Sequence, residues 1–273
     1  MTKQHKHACD NCDNGHSNTS SNAGQDFNDR AEHLKKNIYG SDKGRLRLAI
    51  LQRDLAPLIT NHRQSLTILD AGCGAGLMSA WAASYGHRIV ACDTAATMVR
   101  QAQKNLDDYA NAQVMHTAVQ DLPLCQTYDI IFCHALLEWV AAQDSLLTHL
   151  AGLLKPGGYL SLMFYNAWAR EMAQLIYGNF DYIDKNYQVR QRVKLSPHWP
   201  AFPDRIEQQL HALHLTIQQR SGIRIFYDII RDRKHYKCLA DDIIRHELRI
   251  SQQYPYWQLG RYVHFLAQNS NLR

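Results

Sequence analysis

The seven residues DAGCGAG at positions 70–76 constrain the fold of this chain more than any other segment. They follow the apolar run Leu66–Leu69 directly, a pattern that predicts a strand ending in a glycine loop. Three glycines at alternate positions leave little side-chain bulk, so the backbone can contact a ligand and adopt positive φ. Leu77 stands where a dinucleotide fingerprint has its third glycine, so the loop does not suit the pyrophosphate of NAD or FAD.

A second acidic residue supports a nucleoside site beside this loop. Asp93 closes the apolar run His87–Cys92 and lies 23 residues after Asp70. A carboxylate at the end of a neighbouring strand can accept hydrogen bonds from both hydroxyls of a ribose. The alternative is that Asp93 only caps the helix predicted to begin near Thr94. The order and spacing of the two motifs predict an adenosine-binding site.

Composition limits where the protein works. No run of about 18 apolar residues occurs, and the N-terminus lacks the apolar centre of a signal peptide. We therefore expect a soluble, cytoplasmic protein that does not contact a membrane. Seven cysteines are an odd number, and several fall in predicted strands, which favours reduced thiols over a disulfide framework.

Charge is distributed unevenly along the chain. Residues 1–150 carry 13 basic and 15 acidic side chains, whereas residues 151–273 carry 17 basic and 10 acidic ones. A basic C-terminal half indicates a polyanionic partner. A solvated basic surface without a partner is the alternative interpretation.

The chain divides into a tail and one large domain. Residues 1–25 are rich in His, Asn and Ser, so we expect a disordered tail. Its Cys9-x-x-Cys12 pair lacks a second Cys/His pair at zinc-finger spacing, so no metal site is predicted. Residues 26–273 are expected to form the domain, with residues 26–60 as a helical lid and residues 165–200 and 228–256 as substrate-binding insertions.

Strands and helices alternate through this domain, which predicts a mostly parallel α/β sheet with helices on both faces. After the first strand, the predicted strands cover His87–Cys92, Gln113–Thr117, Tyr128–His134 and Tyr159–Phe164. The helices between them are predicted at Leu77–Ser84, Ala95–Leu106 and Asp144–Leu154. Beyond them we expect a helix at Pro203–His214, strands at Leu215–Gln219 and Arg224–Tyr227, a helical stretch at Asp228–Ser251 and a last strand at Arg261–Ala267.

Several segments together resemble one family. They are NIYGSDKGRLR at 37–47, LDAGCGAG at 69–76, HALLEWV at 134–140, LSLMFYN at 160–166, GNFDYI at 178–183, SGIRIFYD at 221–228 and GRYVH at 260–264. The glycine loop resembles motif I of class I S-adenosylmethionine-dependent methyltransferases, and the whole set resembles the bacterial tRNA 5-carboxymethoxyuridine methyltransferase family. The resemblance covers about Asp26 to Gln268. It departs in the long tail and at residues 73–75, where Gly-Gly-Glu or a near variant is expected.

The resemblance implies a Rossmann-like class I methyltransferase fold with an antiparallel last strand and S-adenosylmethionine as cofactor. Carried over by position, it implies cofactor contacts at Arg47, Gly72, Cys73, Asp93, Val119, Gln120 and His134, and Gly74 belongs to the same loop. A surface arginine, a polar loop and a structural histidine are the alternatives for Arg47, Gln120 and His134. Glu138 and Trp139 are expected to begin the next helix, with local capping and core packing as their roles.

The resemblance also implies the acceptor, which is the carboxyl group of a modified wobble uridine in the anticodon stem-loop of tRNA. Tyr165 is the candidate catalytic residue and Asn166 a candidate substrate ligand, because both follow the fifth strand at its carboxyl end. The candidate tRNA ligands are basic residues, namely Arg190, Arg192, Lys194, Arg224 and Arg231. No obligate protein partner is expected. A small-molecule methyltransferase and a non-catalytic RNA-binding protein remain the alternative functions.

Overall fold

The computed structural model describes residues 41–61, 64–187, 197–231 and 236–271. Seven strands form one sheet in the order β3-β2-β1-β4-β5-β7-β6. Strands β1 to β5 pair in parallel, and β7 runs antiparallel between β5 and β6. The strands are β1 Thr67–Ala71, β2 Arg88–Asp93, β3 Ala112–His116, β4 Tyr128–His134, β5 Leu154–Tyr165, β6 Leu215–Ile223 and β7 Tyr262–Asn269. This topology confirms the predicted fold class.

Helices cover both faces of the sheet. Those of the described residues are α1 Asp42–Ile59, α2 Leu77–Ser84, α3 Ala96–Leu106, α4 Gln143–Gly152, α5 Ala167–Ile176, α6 Phe180–Asp184, α7 Pro203–Ala212 and α8 Tyr236–Ile250. Short 3₁₀ turns occupy Val119–Asp121, Leu137–Trp139, Tyr227–Ile229 and Tyr256–Leu259. Glu138 and Trp139 therefore lie in a 3₁₀ turn that precedes α4, and not at the start of that helix.

The core has one layer on each face of the sheet, because the parallel strands are apolar on both sides. On one face, α4 and α7 contribute Leu147, Leu150 and Leu210. On the other, the buried side of α1 contacts the sheet together with α2 and α3; it consists of Leu46, Ile50, Leu51, Leu55 and Ile59. Burial of these residues thus holds α1 against this face of the sheet. The helix lies near the carboxyl end of β4.

Three findings bear on the remaining expectations. Among the described residues, Cys73, Cys92, Cys125 and Cys133 are free thiols. None of the helices in the described ranges is both long enough and apolar enough to cross a membrane. Strand β5 begins five residues earlier than predicted, because Leu154 already pairs with Tyr128 before the register shifts at the Pro-Gly-Gly segment.

The predicted strand at Arg224–Tyr227 is wrong. Strand β6 ends at Ile223, and Arg224 adopts a left-handed conformation with φ +61°. The buried carboxylate of Glu247 on α8 accepts the next three backbone amides, from Ile225 at 3.0 Å, Phe226 at 3.0 Å and Tyr227 at 3.2 Å. A side chain from another element therefore supplies the acceptors that a neighbouring strand would otherwise provide.

We expect Glu247→Gln to destabilise the protein by about 1–3 kcal/mol, the typical cost of leaving a buried polar group without its partner. The side-chain nitrogen of the glutamine would face a backbone N–H whose hydrogen bond Glu247 now accepts. Two donors would then meet inside the core. Urea denaturation measures the loss. The partly exposed Glu171→Gln on α5 is the control and should change stability by less than about 0.5 kcal/mol. Equal effects of the two substitutions would contradict the capping role of Glu247.

Candidate cofactor and acceptor site

A cleft opens at the carboxyl ends of β1, β4 and β5, where a parallel sheet typically binds its ligands. It encloses about 440 Å³ of empty space, including the part open to solvent. Helices α1 and α2 form its other walls. Its lining residues are Arg47, Leu48, Leu51, Asp70, Gly72, Cys73, Leu77, Met78, His134 and Met163. Four of the predicted cofactor ligands, Arg47, Gly72, Cys73 and His134, therefore line one cavity.

The glycine loop is tied to the end of β2. The amides of Gly72 and Cys73 both donate to the carbonyl of Cys92, at 2.9 and 3.0 Å. Gly72, Gly74 and Gly76 all have positive φ, at +69°, +55° and +74°. A Cβ atom on Gly72 would lie 3.1 Å from the Leu136 side chain, which would have to shift, and the positive φ itself disfavours a side chain there. This part of the loop presents bare backbone, as the sequence predicts.

Asp93 joins the two motifs recognised in the sequence. Its Oδ2 accepts the amide of Gly74 at 2.9 Å, and its Oδ1 accepts the amide of Ala95 at 2.8 Å. Asp93 therefore holds both the glycine loop and the amide of Ala95, which is itself the N-cap residue of α3. Each carboxylate oxygen keeps a second lone pair, so Asp93 can still accept from a ribose. Burial raises the pKa of Asp93, and its backbone hydrogen bonds oppose that shift.

A second carboxylate forms the floor of the cleft. Asp70 is buried and accepts a hydrogen bond from the hydroxyl of Ser79 at 2.6 Å. Burial raises its pKa to about 6, and the nearby charge of Asp93 acts in the same direction. Two acidic groups beneath a bare loop favour a ligand that carries positive charge and several hydrogen-bond donors.

Two buried nitrogen atoms in the cleft have no hydrogen-bond partner among the described residues: Nε of Arg47 and Nδ1 of His134. The Arg47 guanidinium stacks 4.7 Å from the ring centre of Tyr262. Burial lowers the pKa of His134, and the neighbouring His264 and Arg47 act in the same direction. Unpaired buried polar atoms are rare in folded proteins. Because both residues line the cleft, a group bound there would be able to complete their hydrogen bonding.

Val119 and Gln120 follow β3 in a 3₁₀ turn outside the cleft lining. The side chain of Val119 is buried in the core, and the backbone carbonyl of Val119 is hydrogen-bonded to His149. A cofactor would therefore contact the backbone N–H of Val119. Gln120 is exposed. The cofactor contacts of Val119 and Gln120 both stay predictions.

The Cys73 thiol is buried, and burial raises its pKa well above the usual range, which makes the thiol unreactive.

Tyr165 lies at the end of β5 beside a group of arginines. Its ring packs edge-on against Tyr262 at 5.5 Å, and the Arg261 guanidinium lies 5.5 Å from its centre. Burial raises the pKa of the Tyr165 phenol, whereas the positive charges of Arg261, Arg170 and Arg224 act in the opposite direction. The phenol therefore remains a hydrogen-bond donor with three guanidinium groups in electrostatic range.

Glu138, for which the sequence indicates only local capping, is a buried acidic residue that interacts with the cleft wall. It is buried, and its Oε2 has no hydrogen-bond partner among the described residues. Burial raises its pKa to about 7, while the Arg47 charge and the backbone of Tyr165 lower it. Glu138 thus interacts both with Arg47, which lines the cleft, and with the backbone of Tyr165 at the end of β5. The only signal in the sequence is an acidic residue inside the apolar segment HALLEWV.

The structure corrects the prediction that Asn166 binds substrate. Its side chain is fully buried and caps α5, accepting the amide of Trp168 at 3.0 Å. Its amide nitrogen donates to the carbonyls of Gln258 at 2.8 Å and Gly260 at 2.9 Å. Both donor positions are therefore used to join α5 to the segment before β7, and none is left for a ligand.

The predicted tRNA ligands differ in exposure to solvent, and three of them lie outside the described residues. Arg224 is almost completely buried and pairs with Asp228 at 2.5 Å, so it suits a group inside the site better than an external phosphate. Arg231 is exposed. Arg190, Arg192 and Lys194 lie outside the described residues, as do Cys9 and Cys12. Within the described ranges, no group of three His, Cys, Asp or Glu side chains is arranged to hold a metal ion.

Comparison with known proteins agrees with this geometry. Residues 69–162 match the methyltransferase domain family. The chain is 38% identical over 252 residues to the tRNA 5-carboxymethoxyuridine methyltransferase of Escherichia coli strain K12, covering 89% of this chain and 96% of that protein. A ubiquinone biosynthesis O-methyltransferase of Rhodopseudomonas palustris strain BisB5 is 27% identical over 58% of this chain and 61% of its own length.

The fold also occurs among solved structures. Magnesium protoporphyrin IX methyltransferase from Synechocystis PCC 6803, solved with bound SAH, superposes with a TM-score of 0.64 at 17% identity, covering 90% of this chain and 98% of that one. At that identity the likeness shows the fold alone. The relative from Escherichia coli, matched along nearly its whole length, shows more: this chain belongs to the tRNA 5-carboxymethoxyuridine methyltransferase family.

Proposed function

We propose that this chain transfers the methyl group of S-adenosylmethionine to the carboxyl oxygen of 5-carboxymethoxyuridine at the wobble position of tRNA, forming a methyl ester. Family membership supports the reaction. The observation that carries the acceptor is the position of Tyr165 amid the charges of Arg170, Arg224 and Arg261 at the end of β5. Guanidinium groups and a phenol are the side chains that best hold a carboxylate.

The residues of the cleft fit this cofactor, which supplies an electrophilic methyl group on a sulfonium when it is bound. The bare backbone at Gly72, Cys73 and Gly74 would lie against it, and Asp93 would accept from its ribose. Arg47 would pair with its methionine carboxylate, and the turn at Val119 and Gln120 would contact its adenine. The acidic floor and the unpaired nitrogens of Arg47 and His134 support this assignment.

The residues of the chain act mainly by alignment. A carboxylate is already ionised at neutral pH, so the acceptor oxygen needs no general base. Holding it in line with the methyl group can contribute about 7–11 kcal/mol by proximity and orientation. Tyr165 would donate to one carboxylate oxygen and leave the other free to attack.

The arginines near Tyr165 are partly balanced by Asp228. Arg224 pairs with its Oδ1 at 2.5 Å, and Arg261 approaches its Oδ2 at 3.7 Å. This sharing reduces the net positive charge at the acceptor position. A substrate carboxylate would then be held without a tight ion pair that suppresses its nucleophilicity. Burial also raises the pKa of Glu138 to about 7, so part of its population is neutral near that pH and its repulsion of the acceptor is reduced.

The partner in this proposal is the anticodon stem-loop of tRNA, and the enzyme is placed in the cytoplasm with it. A basic C-terminal half supports a polyanionic ligand. Residues 165–200 and 228–256 are proposed to form the substrate-binding insertions, with the helical segment before β1 as a lid. Arg190, Arg192, Lys194 and Arg231 are the proposed contacts to its phosphates. No protein partner enters the proposal.

The acceptor is tested with two matched anticodon stem-loops, one carrying 5-carboxymethoxyuridine and one carrying 5-methoxyuridine at the wobble position. We expect methylation of the first only, and mild alkali should remove the new methyl group because it is an ester. Mass spectrometry of the nucleosides before and after alkali measures both results. Alkali-stable methylation, or turnover of the 5-methoxyuridine substrate, would contradict carboxyl transfer and favour another acceptor.

We expect Tyr165→Phe to lower kcat/KM for the carboxylate substrate by roughly tenfold to a hundredfold, the effect of losing one hydrogen bond to a charged group. Cofactor affinity should not change, because Tyr165 lies outside the cofactor cleft lining. Tyr159→Phe, on the same strand, is the control and should retain full activity. If both variants behave alike, Tyr165 does not hold the acceptor.

We expect Asp93→Ala to weaken cofactor binding by about 1.5–3 kcal/mol, because the ribose loses a charged acceptor and the amide of Gly74 loses its partner. Calorimetry with S-adenosylhomocysteine measures the change without turnover. Asp107→Ala, which removes an exposed carboxylate after α3, should bind as tightly as the wild type. Unchanged affinity in Asp93→Ala would remove Asp93 from the cofactor site.

A further inference from the structure

A continuous chain of buried hydrogen bonds leads from the cofactor cleft into the core beneath α1. His134 Nε2 is 2.8 Å from the Ser161 hydroxyl, which is 2.8 Å from His264 Nε2. His264 Nδ1 is 2.7 Å from Oδ2 of Asp54 on α1. Ser161 and His264 have no exposed surface. The chain crosses β4, β5 and β7 on one face of the sheet, because His134 pairs in register with Met163 and Met163 with His264.

The direction of each hydrogen bond follows from its end at Asp54. An ionised carboxylate only accepts, so His264 Nδ1 must carry a proton and donate it. Burial alone would raise the pKa of Asp54, but the hydrogen bond from His264 and the charge of Arg53 lower it, so the carboxylate is ionised. Arg53 already balances that charge at 2.6 Å. With Arg53 as its counter-ion, Asp54 needs only a hydrogen bond from His264, and a single ring proton, on Nδ1, supplies it.

The rest of the chain is then determined step by step. Neutral His264 has a lone pair on Nε2, so the Ser161 hydroxyl donates to it. The Ser161 oxygen in turn accepts from His134, which must carry its proton on Nε2. The other ring nitrogen of His134, Nδ1, is left with a lone pair. That atom is buried and has no partner among the described residues, and its residue, His134, is one of those that line the cleft.

We propose that Asp54 is a positioning residue that acts through His264 and Ser161 to hold His134 as the Nε2–H tautomer, so that Nδ1 offers a lone pair to the cofactor cleft. The ligand part rests on the proposed function: this lone pair accepts a hydrogen bond from the ammonium group at the methionine end of the cofactor. The opposite tautomer would place an N–H donor against that ammonium group. The tautomer itself is a property of the protein without ligand.

Asp54→Asn is a sharp test, because the neighbours of Asp54 decide how the amide must lie. Oδ1 accepts from Arg53 at 2.6 and 2.9 Å and from Gln252 at 3.2 Å, so the amide oxygen stays there. The amide nitrogen then faces His264 Nδ1 and donates to it. His264 must move its proton to Nε2, Ser161 must donate to His134, and His134 must carry its proton on Nδ1. A single substitution that hardly changes the shape of the side chain therefore reverses the direction of every hydrogen bond between residue 54 and His134.

The first readout is the tautomer of His134 in the ligand-free protein. Long-range ¹H–¹⁵N correlation spectra of protein labelled with ¹⁵N-histidine distinguish protonated from unprotonated ring nitrogens, and the signals lost in His134→Gln assign the residue. We expect Nδ1 to be unprotonated in the wild type and protonated in Asp54→Asn. The same tautomer in both proteins, or a protonated Nδ1 in the wild type, would overturn the proposal.

The second readout is affinity for S-adenosylmethionine by calorimetry. A donor facing the ammonium group should weaken binding by roughly fivefold to a hundredfold, the effect of an unpaired buried polar group. Gln252→Leu is the matched control, because Gln252 donates to Oδ1 of Asp54 and not to Oδ2, the oxygen that bonds His264. This substitution should change neither the tautomer of His134 nor the affinity for S-adenosylmethionine. A reversed tautomer with unchanged affinity would overturn the assigned cofactor contact.

A separate variant covers the case in which Asp54→Asn does not fold. Ser161→Ala removes the middle link with a small change in volume, and His134 should then populate both tautomers in the ligand-free spectrum. A single Nε2–H tautomer in Ser161→Ala would show that the chain does not set it, and would overturn the proposal. Failure of the wild type to bind S-adenosylmethionine would count against the proposed function only, since the tautomers are measured without ligand.

Discussion

The hydrogen bond from the Gly74 amide to the Asp93 carboxylate joins two parts of the candidate cofactor site, the glycine loop after β1 and the end of β2. It fixes a loop of bare backbone to the end of the neighbouring strand, with glycines in conformations that other residues rarely adopt. The same carboxylate accepts the amide of Ala95, the residue directly before α3. A loop held by one side chain can present its backbone to a ligand without moving, which lowers the entropy that binding must overcome.

Helix α1 connects this cofactor wall to the rest of the site. Arg47 and Asp54 are seven residues apart, about two turns of the helix, so both face the sheet. Arg47 contributes to the cleft wall, whereas Asp54 ends the hydrogen-bond chain from His134. Arg53 fastens the same helix to β6 and α8 through Ser221, Leu248 and Ser251. The position of α1 therefore affects both the shape of the cleft and the protonation of its histidine.

Local patterns in the sequence were sufficient for much of the sheet and failed where distant partners decide the structure. Strand β4 and helix α2 match their predicted bounds, because an apolar run and a glycine loop define them from nearby residues. The strand at 224–227 was wrong because Glu247, about 20 residues away, accepts those amides. Asn166 was misassigned because its carbonyl partners lie more than 90 residues along the chain. The link from Ser161 to His264 spans 103 residues, so no local pattern indicates it.

The protonation of the site explains why a carboxylate suits it as acceptor. A hydroxyl acceptor would need a base to remove its proton, and two groups near the site are candidates, His134 and Glu138. In our proposal the free lone pair of His134 is used by the cofactor. Glu138 is shielded from solvent, and burial raises its pKa to about 7. An acceptor that arrives already ionised needs neither group, and the arginines around Tyr165 attract such an acceptor by charge.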